Sequence, residues 1–230
     1  MKHPLLLLHG ALGNKNQFQS IHNTLEEKVD VYSMNFEGHG GTGQLLPYSM
    51  DSFSKNVIDF LEEHSLEKVN IFGYSMGGYV ALNCALKIPE RIEQIITLGT
   101  KFDWSLKAAE KEVRMLDPEK IEEKVPQFAE KLRKVHQPHD WKAVVTNTAE
   151  MMMNLALGEK LTDADLKKID IPVTIGIGTM DNIVTLEESE HASELLLHAN
   201  LVKLSDVQHP IEKVQSPVLV EFISSNLKLN

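Results

Sequence analysis

Apolar residues recur along this chain in two alternating rhythms. Short continuous or alternating runs mark strands at Leu5 to Leu8, Val29 to Phe36, Lys68 to Gly73, Ile92 to Leu98, Ile171 to Ile177 (opened by Pro172) and Leu201 to Leu204. Leu5 to Leu8 is apolar without alternation, as a strand buried on both faces should be. Between the strands the spacing turns helical. Asn16 to Lys28 carries Phe18, Ile21 and Leu25, and Ser52 to His64 carries Phe53, Val57, Ile58 and Leu61 on one face. Met76 to Ile88 ends at Pro89, and Glu187 to His198 and Pro217 to Leu227 complete the set. Alternating strands and helices imply βαβ crossovers. The expected fold is α/β, a doubly wound, mostly parallel sheet of about six strands with helices on both faces.

One region breaks the rhythm. Between Thr100 and Asp170 the pattern contains no strand. It is charged and helix-favouring at Lys107 to Leu116, Glu119 to His136 (interrupted by Pro126), Trp141 to Leu157 and Thr162 to Lys168. Such a block between two strands of one sheet predicts an insertion over the sheet's C-terminal edge, where ligands bind in open α/β sheets. Residues 1–100 and 169–230 are thus expected to form the core, and 101–168 a helical cap or lid. Met151, Met152 and Met153 read first as packing within that cap. Met151 and Met152 are also candidates to touch substrate, because flexible thioethers accommodate varied apolar groups.

Composition narrows the picture further. The 230 residues are 42% hydrophobic and 24% charged, as in an ordinary globular protein. A net charge of −10 disfavours nucleic acid and anionic membrane surfaces as partners. The lone Cys84 excludes an internal disulfide and, beside Leu82 and Ala85, is expected to be a buried, inert thiol. Met1-Lys2-His3-Pro4 and the leucines after it imitate a signal peptide. The run stops at His9-Gly10, below the ~7 residues an h-region needs, and no small-residue cleavage site follows. No stretch approaches the ~20 apolar residues of a membrane span. A cytoplasmic protein is the expectation.

The chemistry is concentrated at strand ends. Gly73-Tyr74-Ser75-Met76-Gly77-Gly78 sits where a strand gives way to a helix. A Ser between glycines at such a junction suits a nucleophile on a sharp turn. Alone the motif is weak, since chance supplies it in about one chain in twenty of this size. A serine hydroxyl needs a base, and the base needs an acid to orient it. Asp181 follows the strand ending in Ile177, and His209 follows the last strand. Ser75, Asp181 and His209 therefore reach one sheet edge in the order Ser, acid, His. Asp103 is the rival acid, and Asp206 stands too near His209 in sequence to orient it. Donors for an oxyanion are expected from Met76 N–H and from the loop His9-Gly10-Ala11-Leu12-Gly13, with Ala11 first and Leu12 second. His9 is expected to support that loop by hydrogen bonding. His136-Gln137-Pro138-His139-Asp140 has metal-like residue types without metal-like spacing, and is expected to be a solvated loop. No metal and no cofactor is implied.

His-Gly-x-x-Gly at 9–13, Gly-x-Ser-x-Gly-Gly at 73–78, Gly-x-x-Asp-x-x-Val at 178–184 and the late His209 together resemble the α/β-hydrolase fold proteins of the single-domain, lidded type. Phe36-Glu37-Gly38-His39-Gly40 is similar to the loop after that family's second conserved strand. The resemblance spans Leu5 to about Gly99 and Ile171 to Leu229; the insertion matches only in position and helical character. Asn35 and Gln208 depart from the family's usual Asp and Gly, and its two N-terminal antiparallel strands have no counterpart. The resemblance implies a carboxylesterase-like serine hydrolase acting on a small ester or acyl substrate. Carbon–carbon bond hydrolases, lyases and receptor-like binders with little turnover use similar lidded folds. Dehalogenase chemistry is disfavoured, because that branch has Asp where Ser75 stands.

Overall fold

A computed structural model describes residues 4–227. The outer ends of the expected core segments, 1–3 and 228–230, and with them the Met1-Lys2-His3 lead, lie outside the described residues. Six parallel strands, β1 (Leu5–Leu8), β2 (Val31–Met34), β3 (Val69–Tyr74), β4 (Ile92–Leu98), β5 (Val173–Gly178) and β6 (Ala199–Leu204), form one sheet in the order β2-β1-β3-β4-β5-β6. Leu5 to Leu8 are fully buried, and side-chain alternation sends them to opposite faces. Leu5 and Leu7 meet Phe18, Ile21 and Leu25 beside α1 (Gln19–Glu26), and Phe222 and Ile223 of α10 (Ser216–Asn226) complete that layer. Leu6 and Leu8 face Phe53 and Val57 of α2 (Met50–Glu63) and Val80 of α3 (Met76–Lys87), with Ala192 of α9 (Leu186–Leu195) further along the sheet. The sheet is thus doubly wound. Its order reverses at β1, whose neighbours are β2 and β3, so the loops after β1 and β3 border the crevice in which open sheets bind ligands.

Several boundaries differ from the sequence pattern for local reasons. The stretch from Lys15 begins as a 3-10 turn, Lys15–Phe18, before α1. Helix α9 stops at Leu195 because the chain is already extended and paired with β5 from Ala199. Between β4 and β5 lie only helices: α4 (Leu106–Val113), α5 (Pro118–Lys124), α6 (Pro126–His136), α7 (Trp141–Asn154) and α8 (Asp163–Leu166). Pro126 separates α5 from α6 because proline cannot continue a helix but opens one well. After α7 the helix widens into a π turn, Leu155–Glu159, that contains Gly158 at φ 132°. Ile121, Ala129, Leu132, Trp141 and Val145 give α5–α7 a small core of their own, while Val144, Met151 and Leu155 on the other side of α7 join the core of the sheet. No helix among the described residues is long and apolar enough to cross a membrane.

Candidate active site

The β3–α3 junction is as tight as backbone permits. Ser75 has φ 51° and ψ −117°, a strained conformation for a residue with a side chain. A Cβ on Gly73 would lie 2.4 Å from Gly78 Cα, and one on Gly77 would lie 2.2 Å from the Leu8 carbonyl oxygen. The glycines around Ser75 are therefore steric requirements. Hydrogen bonds hold the strained residue from both sides: Ser75 N–H donates to Leu98 O at 2.8 Å, and Thr100 Oγ1 donates to Ser75 O at 3.0 Å.

Three strand ends then converge. Ser75 Oγ lies 3.2 Å from His209 Nε2, and His209 Nδ1 lies 2.8 Å from Asp181 Oδ2. The other Asp181 oxygen, Oδ1, accepts the N–H groups of Ile183 and Val184, each at 2.9 Å. The Asp181 side chain is 2% exposed and that of His209 9%. Burial alone would push the Asp181 carboxyl up. The His209 hydrogen bond and charge and the two backbone N–H groups outweigh it and hold the carboxyl below its usual range. Tyr74 Oη donates to the His209 carbonyl at 2.8 Å and fixes the loop that carries the ring. Gly99, at φ 62°, leaves room beside the pair: a Cβ there would come within 3.3 Å of both His209 and Asp181. Such a relay can take a proton from Ser75 Oγ and hand it to a leaving group.

The rival acids lie elsewhere. Asp103 is exposed, and its carboxylate accepts Ser105 N–H at 2.9 Å. Asp206 is an exposed turn residue at φ 59° whose N–H donates to Thr179 Oγ1. Gln208 accepts from Lys213 Nζ at 3.1 Å and leaves the His209 contacts intact.

Across the crevice, the loop after β1 presents its backbone. Gly10 N–H donates to Gln17 Oε1 and Gly13 N–H to Gly10 O. Among the hydrogen bonds of the described residues, none uses the N–H of Ala11, Leu12 or Met76. All three residues line the same cavity as Ser75 and His209. Leu12 shares the strain of Ser75, with φ 57°. The cavity measures about 1180 Å³ and is walled by Met50, Tyr79, Trp104, Met151, Met152 and Ile183, among others. Met151 and Met152 both reach it, the first from the buried side of α7.

Sequence reasoning missed two supports of this site. Glu188 is buried; its Oε1 accepts Thr185 N–H, and its Oε2 accepts the N–H groups of Phe102 and Asp103 at 2.9 and 2.7 Å. The Thr185-x-x-Glu188 capping box is a local pattern, whereas the bonds of Phe102 and Asp103 N–H to the other Glu188 oxygen join residues 86 and 85 positions apart. The other support is His136, for which the expected solvated loop is wrong. His136 closes α6, is fully buried, and bonds to Gly40 N–H and Leu12 O, both at 3.1 Å. His139 is only half-buried and lies 3.3 Å from Thr42 O.

His136, His39 and His9 form a buried group beneath the loop after β1, with ring centroids 5.7 and 5.2 Å apart. His9 supports the loop as expected: Nδ1 donates to Gly10 O at 2.8 Å, and Nε2 accepts Phe36 N–H at 3.2 Å. Burial lowers all three imidazoles, and His9 falls from 6.5 to about 4. A folded-state pKa below the unfolded value means that the unfolded chain binds more protons between the two. Stability is therefore complete above about 6.5 and is lost as pH falls towards 4, by roughly 3 kcal/mol for His9 alone. Urea midpoints measured from pH 7 to 4 should show this acid limb. His9→Asn, which keeps a donor and an acceptor, should make it shallower.

Comparison with known proteins agrees with this architecture. A family model described as the alpha/beta hydrolase fold matches residues 3–137. A probable alcohol acetyltransferase of Cyberlindnera fabianii is 36% identical over 101 residues, which are 43% of this chain and 27% of that protein. The match thus spans about a quarter of that relative's length. Among solved structures, a thermophilic esterase from Thermogutta terrifontis superposes with a TM-score of 0.77 at 21% identity, covering 97% of this chain and 88% of that one. The enol-lactonase of Burkholderia xenovorans LB400 does so with a TM-score of 0.73 at 19% identity, covering 97% and 92%. At such identities the structural likeness speaks for the fold alone.

Proposed function

Because the chain belongs to the alpha/beta hydrolase fold family, we propose that it is a serine hydrolase that cleaves a carboxylic ester or related acyl substrate through an acyl-enzyme. The observation that carries this reading is the continuous relay from Ser75 Oγ through His209 to Asp181, at 3.2 and 2.8 Å. His209 takes the Ser75 proton through Nε2 as Oγ attacks the carbonyl carbon. The developing oxyanion is held by the N–H groups of Met76 and Ala11, with Leu12 N–H as the alternative to Ala11, and by the N-terminus of α3. His209 then protonates the leaving group, and the acyl group passes to water activated by the same ring. Asp181 keeps the imidazole oriented and stabilises its cation. Residues 101–168 act as the cap that supplies much of the cavity wall and so selects the substrate, with Met151 and Met152 in contact with it.

An alcohol could replace water as acyl acceptor, as the names of the acetyltransferase relatives suggest. The cavity is large and mostly apolar, so the acyl chain is expected to extend beyond acetyl. Each buried methylene contributes about 0.8 kcal/mol, or roughly a factor of four in kcat/KM, until the cavity is filled. A series of p-nitrophenyl esters of increasing acyl length, run with and without ethanol, tests both points. The expected result is turnover that rises with chain length to an optimum, with ethyl ester formed when ethanol is present. Ligand-induced thermal stabilisation without turnover of any ester would instead assign the cavity to binding.

A further inference from the structure

We propose that His136, which closes α6 in the inserted helices, is a positioning residue for the oxyanion loop. The inserted helices would then help to build the catalytic machinery as well as select the substrate. This rests on the hydrolase reading above. Leu12 is the strained residue of that loop. It sits in the loop after β1, which lines the cavity together with Met76, in a left-handed conformation (φ 57°) that costs about 1–2 kcal/mol in an L-residue. Something must hold it there. The β1 side holds Gly10, through its N–H to Gln17, the turn bond from Gly13 and the bond from His9 Nδ1, but supplies no hydrogen bond to Leu12 among the described residues. The inserted helices add a hold on Leu12 itself, in two forms. The Leu12 side chain packs against the small core of Ile121, Ala129, Leu132, Trp141 and Val145 as well as against the main core of the sheet. The Leu12 carbonyl faces His136 Nε2 at 3.1 Å.

The hydrogen-bond partners settle the state of that ring. Gly40 N–H donates to His136 Nδ1 at 3.1 Å, so Nδ1 carries the lone pair. Nε2 then carries the proton and donates it to Leu12 O. Burial, which lowers the imidazole, keeps it in this neutral form. Both ring nitrogens are used, and the ring joins three segments: the loop after β1, the glycine-rich loop after β2, and α6. The Leu12 carbonyl shares a peptide plane with Gly13 N–H, so tying it down restricts rotation about Leu12 and with it the neighbouring plane that carries Leu12 N–H; the plane of Ala11 N–H is held by the bonds that His9 Nδ1 and Gly13 N–H donate to Gly10 O. Oxyanion donors are effective when they are aimed before the charge develops, so a loosened loop costs rate more than binding.

The test compares His136→Phe with His136→Gln. Phenylalanine keeps the ring and loses both bonds; the glutamine amide can donate to Leu12 O and accept from Gly40 N–H. The expected result for His136→Phe is a fall in kcat of about 10- to 100-fold for p-nitrophenyl butyrate, below the full loss of a donor. KM, and the affinity of Ser75→Ala for the same ester when combined with His136→Phe, should stay within about two-fold. Amide exchange in residues 10–14 should accelerate. His136→Gln should recover most of the rate and of the exchange protection. If His136→Phe does not fold, His136→Asn, polar but too short to span both partners, takes its place with the same expected losses. An unchanged kcat, equal losses in the Phe and Gln variants, or a KM that rises in step with the loss of rate would overturn the proposal. Should the parent protein hydrolyse no ester, the hydrolase reading fails. The exchange measurement then decides this proposal by itself: unaltered exchange in residues 10–14 of His136→Phe refutes it.

Discussion

Replacing Ser75 with alanine is expected to lower kcat by about a million-fold and to leave the fold intact. The first half follows from the role proposed for Oγ, the atom of the relay that would form the acyl-enzyme. No neighbouring group can replace it, since the elbow's other residues are Tyr74, whose hydroxyl is committed to the His209 carbonyl, and Met76. The second half follows from where the strain is stored. The unfavourable φ of 51° belongs to the backbone, and the bonds that hold it, from Ser75 N–H to Leu98 and from Thr100 Oγ1 to Ser75 O, involve no side-chain atom of Ser75. Alanine has the same Cβ and meets the same walls. Loss of turnover with an unchanged thermal midpoint therefore separates chemistry from folding. A fluorophosphonate should add one mass increment to the parent and none to the variant. Labelling of Ser75→Ala, or more than a few per cent of parental turnover, would remove Ser75 from the mechanism.

The parts of this protein that were legible in its sequence are those written locally. Four consecutive leucines announce a strand buried on both faces, and Leu5 to Leu8 are fully buried. The glycines around Ser75 are a steric code: a Cβ added to Gly73, Gly77 or Gly78 would come within 2.4 Å of a neighbouring atom. Asp181 and His209 could be placed because each follows a strand, and parallel strands deliver their C-terminal ends to one edge. Asp103 met the same criterion. What separates the two acids is the direction of a carboxylate, which Asp103 spends on the N–H of Ser105 two residues away. His136 was illegible for a different reason. Its partner Leu12 is 124 residues distant, and nothing in His136-Gln137-Pro138-His139-Asp140 distinguishes a helix end facing inward from one facing water. Asn35, a departure from the usual acid, becomes intelligible only in three dimensions. Its amide is used at both ends, accepting Lys15 N–H through Oδ1 and donating to Thr42 Oγ1 through Nδ2.

Asp181→Asn should cost about ten thousand-fold in kcat, although it changes neither size nor shape. Asparagine could in principle turn either end of its amide towards His209, and the local backbone decides which. The N–H groups of Ile183 and Val184 both donate to Oδ1, and an amide nitrogen cannot accept them. The amide oxygen must therefore occupy the Oδ1 position, which leaves the NH2 group where Oδ2 now meets His209 Nδ1 at 2.8 Å. A donor there forces Nδ1 to accept, so the ring proton moves to Nε2. Nε2 then points an N–H at Ser75 Oγ, where the reaction requires a lone pair. The variant would hold the ring in place and in the wrong tautomer. It would also lack the countercharge that steadies the imidazolium. Stability should reveal the same carboxylate from the other side. The Asp181 carboxyl is held below its ordinary value in the fold, so its contribution is present above that value and is lost as pH falls through the lowered one. That part of the acid limb should be missing in Asp181→Asn, while the part due to the buried histidines remains. Parental turnover in Asp181→Asn would show that His209 is oriented by something other than Asp181, and the relay would have to be redrawn from its acid end.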